Sequence, residues 1–215
     1  MAKQPYSLIT FSGTHGSGKS TASKSFASYL KKNNINCYLF DKRPLGTELI
    51  NKTIKTVQRE LNYTKIEQKY ISFAFAFDYY GDFKLNIEPL LNNGHVIMDR
   101  FIFDIYANVR TRFCKKHDDF TASWELLSNL LVNNSLHFYF DISTNEAYKR
   151  INNRGNRQYF ESIENLESEL FHYRNFLKCP QLKFHKINAE ESQHQVLRQI
   201  INVYESINGI TLKSD

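Results

Sequence analysis

Short apolar runs of four or five residues recur along the chain, separated by longer amphipathic stretches. Ser7-Leu-Ile-Thr-Phe11, Cys37-Tyr-Leu-Phe40, His95-Val-Ile-Met98, Leu136-His-Phe-Tyr-Phe140 and Phe184-His-Lys-Ile187 are apolar or aromatic almost throughout. Strands covered on both faces have that character. Between them the pattern predicts helices over 19–31, 47–61, 65–92, 103–116, 122–133, 145–153, 158–178 and 190–207. Asn93-Gly94 suits a helix stop before the third strand. Ser143 or Thr144 suits a cap, with Glu146 in the first turn beyond it. Strands alternating with helices predict an α/β fold, a five-stranded parallel sheet wrapped by helices. In such sheets ligands bind at the carboxyl ends of the strands, so the residues following each run carry the chemistry.

Composition narrows this picture without deciding it. At 215 residues, with 41% hydrophobic and 23% charged positions, the chain reads as one folded domain, 1–215. Eight Gly and four Pro exclude collagen-like or linker-dominated architectures. Three cysteines, Cys37, Cys114 and Cys179, are odd in number and widely spaced, which excludes a disulfide framework or a zinc pattern. Reduced thiols and a cytoplasmic location are the simplest reading. The apolar run at 8–11 is too short for a signal peptide, and nothing approaches the roughly 20 apolar residues of a membrane span. Twenty-eight Lys and Arg against 22 Asp and Glu leave a net charge of +6. That excess is spread without a basic run, so it argues for a surface, or for cations serving one anionic ligand, rather than for nucleic-acid binding.

The first strand leads into Gly13-Thr-His-Gly-Ser-Gly-Lys-Ser20, a full match to G-x-x-x-x-G-K-[ST] between a predicted strand and a predicted helix. Glycines let backbone N–H groups converge on a polyphosphate, and the helix N-terminus aims its dipole at the same anion. The ATP-binding segment is therefore Gly13, Thr14, His15, Gly16, Ser17, Gly18, Lys19, Ser20 and Thr21. Lys19 is placed to reach the β- and γ-phosphates, and Ser20 to hold Mg²⁺. Asn51-Lys52-Thr53-Ile54 lacks the Asp of a guanine-reading element, which disfavours a GTPase switch.

Two further strand ends carry charge. Asp41-Lys42-Arg43-Pro44-Leu45-Gly46-Thr47 suits either an anionic second substrate or a solvated turn. The third strand ends in Asp99-Arg100, where Asp99 suits a metal-orienting carboxylate and Arg100 a phosphate clamp; a structural ion pair is the alternative. Arg150 and Arg154 are four apart and share a helix face; Gly155 and Arg157 follow.

In this order the elements resemble the thymidylate kinase family of nucleoside monophosphate kinases. The matching pieces are the phosphate loop, Lys42-Arg43-Pro44-Leu45-Gly46-Thr47, Phe73-Ala-Phe-Ala-Phe-Asp78, Asp99-Arg100-Phe101, Phe140-Asp141-Ile142 with Arg150 to Gly155, and Lys186-Ile-Asn-Ala189. The resemblance implies a P-loop nucleotide kinase with an Arg-bearing lid at about 150–162. It implies transfer of the ATP γ-phosphoryl group to a (deoxy)nucleoside monophosphate, dTMP to dTDP first, with Mg²⁺ held by Ser20 and Asp99. A homodimer through the long helices is common in that family. With Gly at position 16, the catalytic arginine falls to the lid, Arg154 first and Arg150 or Arg157 otherwise, beside Lys19 and Arg100.

The departures cluster on the acceptor side. Phe75 aligns with a base-stacking aromatic, or is a core residue. Tyr79 stands where the family tends to have Arg, Ile105 where it tends to have a polar residue, and His15 where it tends to have Asp or Glu. Arg43, Phe75, Tyr79, Arg100 and Asp104 are therefore the expected acceptor contacts. The alternatives are a kinase of another nucleotide or of a deoxynucleoside, and a P-loop ATP-binding or switch module without a small acceptor.

Overall fold

The computed structural model describes residues 8–41, 68–113, 135–155, 161–178 and 182–212, with short pieces at 52, 56, 126–128 and 130. β1 (Leu8–Ser12), β2 (Cys37–Phe40), β3 (His95–Asp99), β4 (Leu136–Asp141) and β5 (Phe184–Asn188) form one parallel sheet. Its strand order is β2-β3-β1-β4-β5. Each expected strand is present. The helices among the described residues are α1 (Lys19–Lys32), α2 (Gln68–Asp82), α3 (Ile102–Phe113), α4 (Thr144–Asn153), α5 (Ile163–Leu177) and α6 (Gln193–Asn208). None is long and apolar enough to cross a membrane.

Alternating strand positions feed two apolar layers, as the twofold side-chain period dictates. On one face Ile9, Phe11, Ile97, Phe138 and Phe140 pack with Phe26 and Leu30 of α1 and with Val196, Ile200 and Tyr204 of α6. Phe11 sits at the middle, its ring 5.4 Å from Phe138, 5.6 Å from Phe140 and 6.1 Å from Phe26. On the other face Leu8, Val96, Met98 and Tyr139 meet Tyr79 of α2, Phe103 of α3 and Tyr173 and Phe176 of α5.

The structure differs from the sequence pattern at helix ends. The helix expected over 65–92 leaves α geometry after Asp82, running through a π turn at Phe83–Ile87 and a 3₁₀ turn at Glu88–Asn92. Pro89 lies in the first turn of the latter and lacks the N–H that an α-helix would need from it. α5 and α6 begin at 163 and 193, because Ser162 and Ser192 accept the N–H groups of Asn165 and Gln195 and so cap each start. Ser143 is the cap of α4, accepting from Glu146 at 3.4 Å. The expected helices over 47–61 and 122–133 lie for the most part outside the described residues.

Register brings the chemistry together. Phe11 pairs with Asp99 and Ser12 with Tyr139, so the ends of β1, β3 and β4 lie side by side. The loop after β1 therefore emerges between Arg100 and α4.

Candidate functional site

At those strand ends lies a cleft of about 660 Å³, within the roughly 300–1,000 Å³ of ordinary small-molecule sites. Its floor is the loop from His15 to Thr21, Arg100 stands at one side, and Arg150, Ile151 and Arg154 of the α4 segment cover the other. Ala189, Glu191 and Ser192, between β5 and α6, line it further with Gln193 and Val196 of α6.

The loop takes its shape from glycine and from one lysine. Gly18 (φ +87°) is the N-cap of α1, and no side chain caps that helix, so its first N–H groups point at the cleft. Gly16 (φ +79°) runs so close to α4 that a Cβ would stand 2.5 Å from the Ala147 carbonyl oxygen. Lys19 is buried; its ammonium donates to the carbonyls of Gly13 and of Thr14 (2.9 Å). Burial pulls its pKa below the usual lysine value, with Asp104, Asp99 and Glu169 opposing that shift and Arg100 adding to it.

Arg100 adopts φ +91°, a left-handed conformation rare for a side-chain-bearing residue, while its N–H bonds Phe11 O at 3.1 Å across the strand ends. Asp99 precedes it, and its Oδ1 is buried with no hydrogen-bond partner among the described residues. On α4, Arg150 donates Nε to Glu146 (2.8 Å) and Nη1 to the Ala189 carbonyl (2.8 Å), which pins it across the β5–α6 turn. Arg154, at the C-cap of α4, is half exposed and directs Nη2 to both oxygens of buried Glu161 at 2.7 and 2.8 Å.

A glycine-rich loop, a buried lysine and arginines lining one cleft are the groups that a polyphosphate needs for its charge to be offset. The profile described as thymidylate kinase covers residues 11–200. The chain belongs to the thymidylate kinase family. It is similar to the thymidylate kinase of Leptospira interrogans, 28% identical over 202 residues that cover 92% of this chain and 93% of that one. It is 26% identical over 207 residues to a probable thymidylate kinase of Thermococcus gammatolerans, with 92% and 95% covered. A probable thymidylate kinase of Methanosarcina mazei is 29% identical over 210 residues, with 95% and 98% covered.

Within this family member the described expected site residues fall into three places. Gly13 to Thr21, Arg100, Arg150 and Arg154 surround or underlie the cleft, and Asp99 ends β3 next to Arg100. Phe75 and Tyr79 sit on α2, packed on the aromatic layer beside β3; Phe75 is half-buried. Tyr79 is buried edge-on against Phe101, 6.2 Å between centroids, and its hydroxyl has no partner among the described residues. Burial first, then the Asp104 and Asp82 charges, push its pKa well above the usual phenol value. Asp104 lies beneath the loop. Its Oδ2 accepts from Ser12 Oγ (2.7 Å) and the Phe101 N–H (3.0 Å), and its Oδ1 accepts from the Tyr173 hydroxyl (2.7 Å). A carboxylate engaged in that way supports the loop from below. Arg43 and Arg157 lie outside the described residues.

Three residues of this site escape the sequence reading. Glu169 and Tyr173, one helical turn apart on α5, reach the loop, and Glu161 meets Arg154. The one signal was a lone acid among Leu166, Leu170, Tyr173 and Phe176 on the buried stripe of α5. Glu169 accepts from Thr14 Oγ1 at 2.7 Å and from the His15 N–H at 3.2 Å, and meets His15 Nδ1 at 2.8 Å. Burial alone would raise its pKa; the His15 hydrogen bond and charge, then Thr14 and Lys19, outweigh that and hold it at about 2.

The residues also fit Mg²⁺. A nucleotide-bound Mg²⁺ takes one or two protein oxygens and keeps the rest of its shell as water and phosphate. The unpartnered Asp99 Oδ1 and the exposed Ser20 hydroxyl match that need. Among the described residues there is no larger His, Cys, Asp and Glu cluster for a metal.

Proposed function

We propose that this protein transfers the γ-phosphoryl group of ATP to a nucleoside monophosphate, with dTMP as the acceptor and dTDP as the product. The observation that carries the reading is the set of cations outside the phosphate loop, Arg100, Arg150 and Arg154, facing the loop across one cleft. A switch module without a small acceptor has no need of them. Phosphoryl transfer requires two anions held in line, with their charge offset, more than it requires covalent help.

In this scheme the loop N–H groups and Lys19 hold the donor phosphates. Arg100 clamps the acceptor phosphate, and Arg154 meets the charge that develops on the transferring group. Arg150, pinned at Ala189, flanks the donor. Ser20 and Asp99 hold Mg²⁺, which when bound offsets phosphate charge. Arg43, Phe75 and Tyr79 complete acceptor recognition, Phe75 by stacking and Tyr79 through its unmatched hydroxyl, while Asp104 acts through the loop it supports. Residues 150–162 serve as the lid of one kinase domain, excluding water that would compete with the acceptor.

We further propose a homodimer through α2, whose Phe73 and Phe77 are 46% and 64% exposed one turn apart. Cysteine usage supports a cytoplasmic location; Cys37 is a buried free thiol.

The deciding experiment measures ADP formed from ATP with each nucleoside monophosphate and nucleoside in turn. The reading expects turnover with dTMP and none with thymidine. ATP hydrolysis indifferent to any acceptor would replace it with the switch-module reading.

A further inference from the structure

Glu169 is an ionised carboxylate placed directly beneath an anion-binding loop. A negative charge there opposes the phosphates, and its burial is unfavourable unless hydrogen bonds and a countercharge offset it. The structure supplies the hydrogen-bond partners, the Thr14 hydroxyl at 2.7 Å, the His15 N–H at 3.2 Å and the His15 ring at 2.8 Å, and the Lys19 ammonium acts on it as a cation. A simple tie between helix and loop would need only a neutral amide, so the charge itself calls for a role.

Three features define that role. First, the His15 N–H is turned toward α5, so the phosphate-facing donors begin at the next residue and the register of the loop is set from below. Second, His15 lines the cleft, and Glu169 fixes its ring through Nδ1. Third, α5 reaches the loop twice. Tyr173, one turn after Glu169, lies 3.0 Å from the Gly13 carbonyl, so three consecutive loop residues are gripped by one helix. The same helix starts at the Ser162 cap, directly after Glu161, whose carboxylate holds Arg154. α5 thus connects the start of the phosphate loop to the arginine on the far side of the cleft.

We propose that Glu169 is a positioning residue for phosphoryl transfer, acting through Thr14 and His15 to set the phosphate loop in register with Arg154. The proposal rests on the kinase reading of the cleft. Glu169 itself touches neither substrate. Its removal leaves the donor-binding N–H groups and Lys19 in place but loosens their alignment with the arginines, so the loss concentrates in kcat.

The test compares wild type, Glu169→Gln, His15→Asn and the double variant, measuring kcat, KM for ATP and for dTMP, and melting temperature. The expected result for Glu169→Gln is a fall in kcat of about tenfold or more, with both KM values within about threefold, at a temperature where the variant is fully folded. The double variant is expected to be no worse than about twofold below the poorer single one, since both substitutions break one contact. A Glu169→Gln kcat within about twofold of wild type overturns the proposal, as does a double variant in which the two losses multiply. Should Glu169→Gln not fold, His15→Asn carries the same kcat criterion, because it leaves the carboxylate bonded to Thr14 and the backbone. Wild-type inactivity with every nucleoside monophosphate overturns this proposal together with the kinase reading. An active wild type with an unaffected Glu169→Gln overturns this proposal alone.

Discussion

Gly16 of the phosphate loop and Ala147 of α4 touch backbone to backbone. A Cβ added to Gly16 would lie 2.5 Å from the Ala147 carbonyl oxygen. The contact fixes the distance between the loop and the helix that carries Arg150 and Arg154. Gly16→Ala is expected to cost about 1–2 kcal/mol from its left-handed backbone alone, with the displacement of α4 added. A lower urea midpoint together with reduced kcat is the predicted outcome.

Arg154 has one guanidinium nitrogen on Glu161 and is half exposed on the cleft side. Arg154→Ala is predicted to lower kcat by about 100-fold or more, in keeping with arginines that offset transition-state charge, while Kd for ATP stays within about threefold. Steady-state kinetics and calorimetric ATP binding on the same preparation check the split.

Tyr79 buries a hydroxyl that has no hydrogen-bond partner among the described residues. Tyr79→Phe removes that oxygen and nothing else, so stability is expected to hold or to rise slightly. If the hydroxyl reads the acceptor, kcat/KM for dTMP falls about tenfold and discrimination among the monophosphates weakens. A variant matching wild type on every acceptor would remove Tyr79 from recognition.

His137 provides a pH signature unrelated to the cleft. Burial first, and then neighbouring His185, lower its pKa to about 4 from the ordinary 6.5. It is enclosed by the rings of Phe101, Phe103 and Phe184, and its Nδ1 lies 2.8 Å from Thr10 Oγ1. The unfolded chain gains this proton below about 6.5 and the folded chain resists until about 4. Stability contributed by the neutral ring is therefore present at neutral pH and lost as pH falls between those values, by about 1.4 kcal/mol per unit at most. His137→Gln is expected to flatten that part of the stability–pH curve measured by urea denaturation.

The sheet was legible because strands enclosed on both faces are apolar or aromatic almost throughout, as Val96 to Met98 are. The donor half of the site was equally legible, since a polyphosphate loop needs its glycines and lysine in one contiguous stretch. The helix over 65–92 misled because its apolar spacing continues through Phe83 and Ile87 although the backbone widens into a π turn there. Asp104 follows Asp99-Arg100 closely enough to suggest an acceptor contact, but its bonds to Ser12 and Tyr173 join residues too far apart in sequence for any local spacing to record. Glu169 was missed because its partners, Thr14 and His15, are some 155 residues away in sequence, and no local spacing records such a pairing.

Arg100 has a consequence for any effort to harden this protein against heat. Its left-handed backbone at φ +91° is a conformation that glycine adopts without strain. A library screened for thermal survival alone would therefore enrich glycine at position 100 and, in the same step, discard a guanidinium-bearing side chain that lines the cleft. Stability and turnover pull in opposite directions at this one residue, so variants need selection on both.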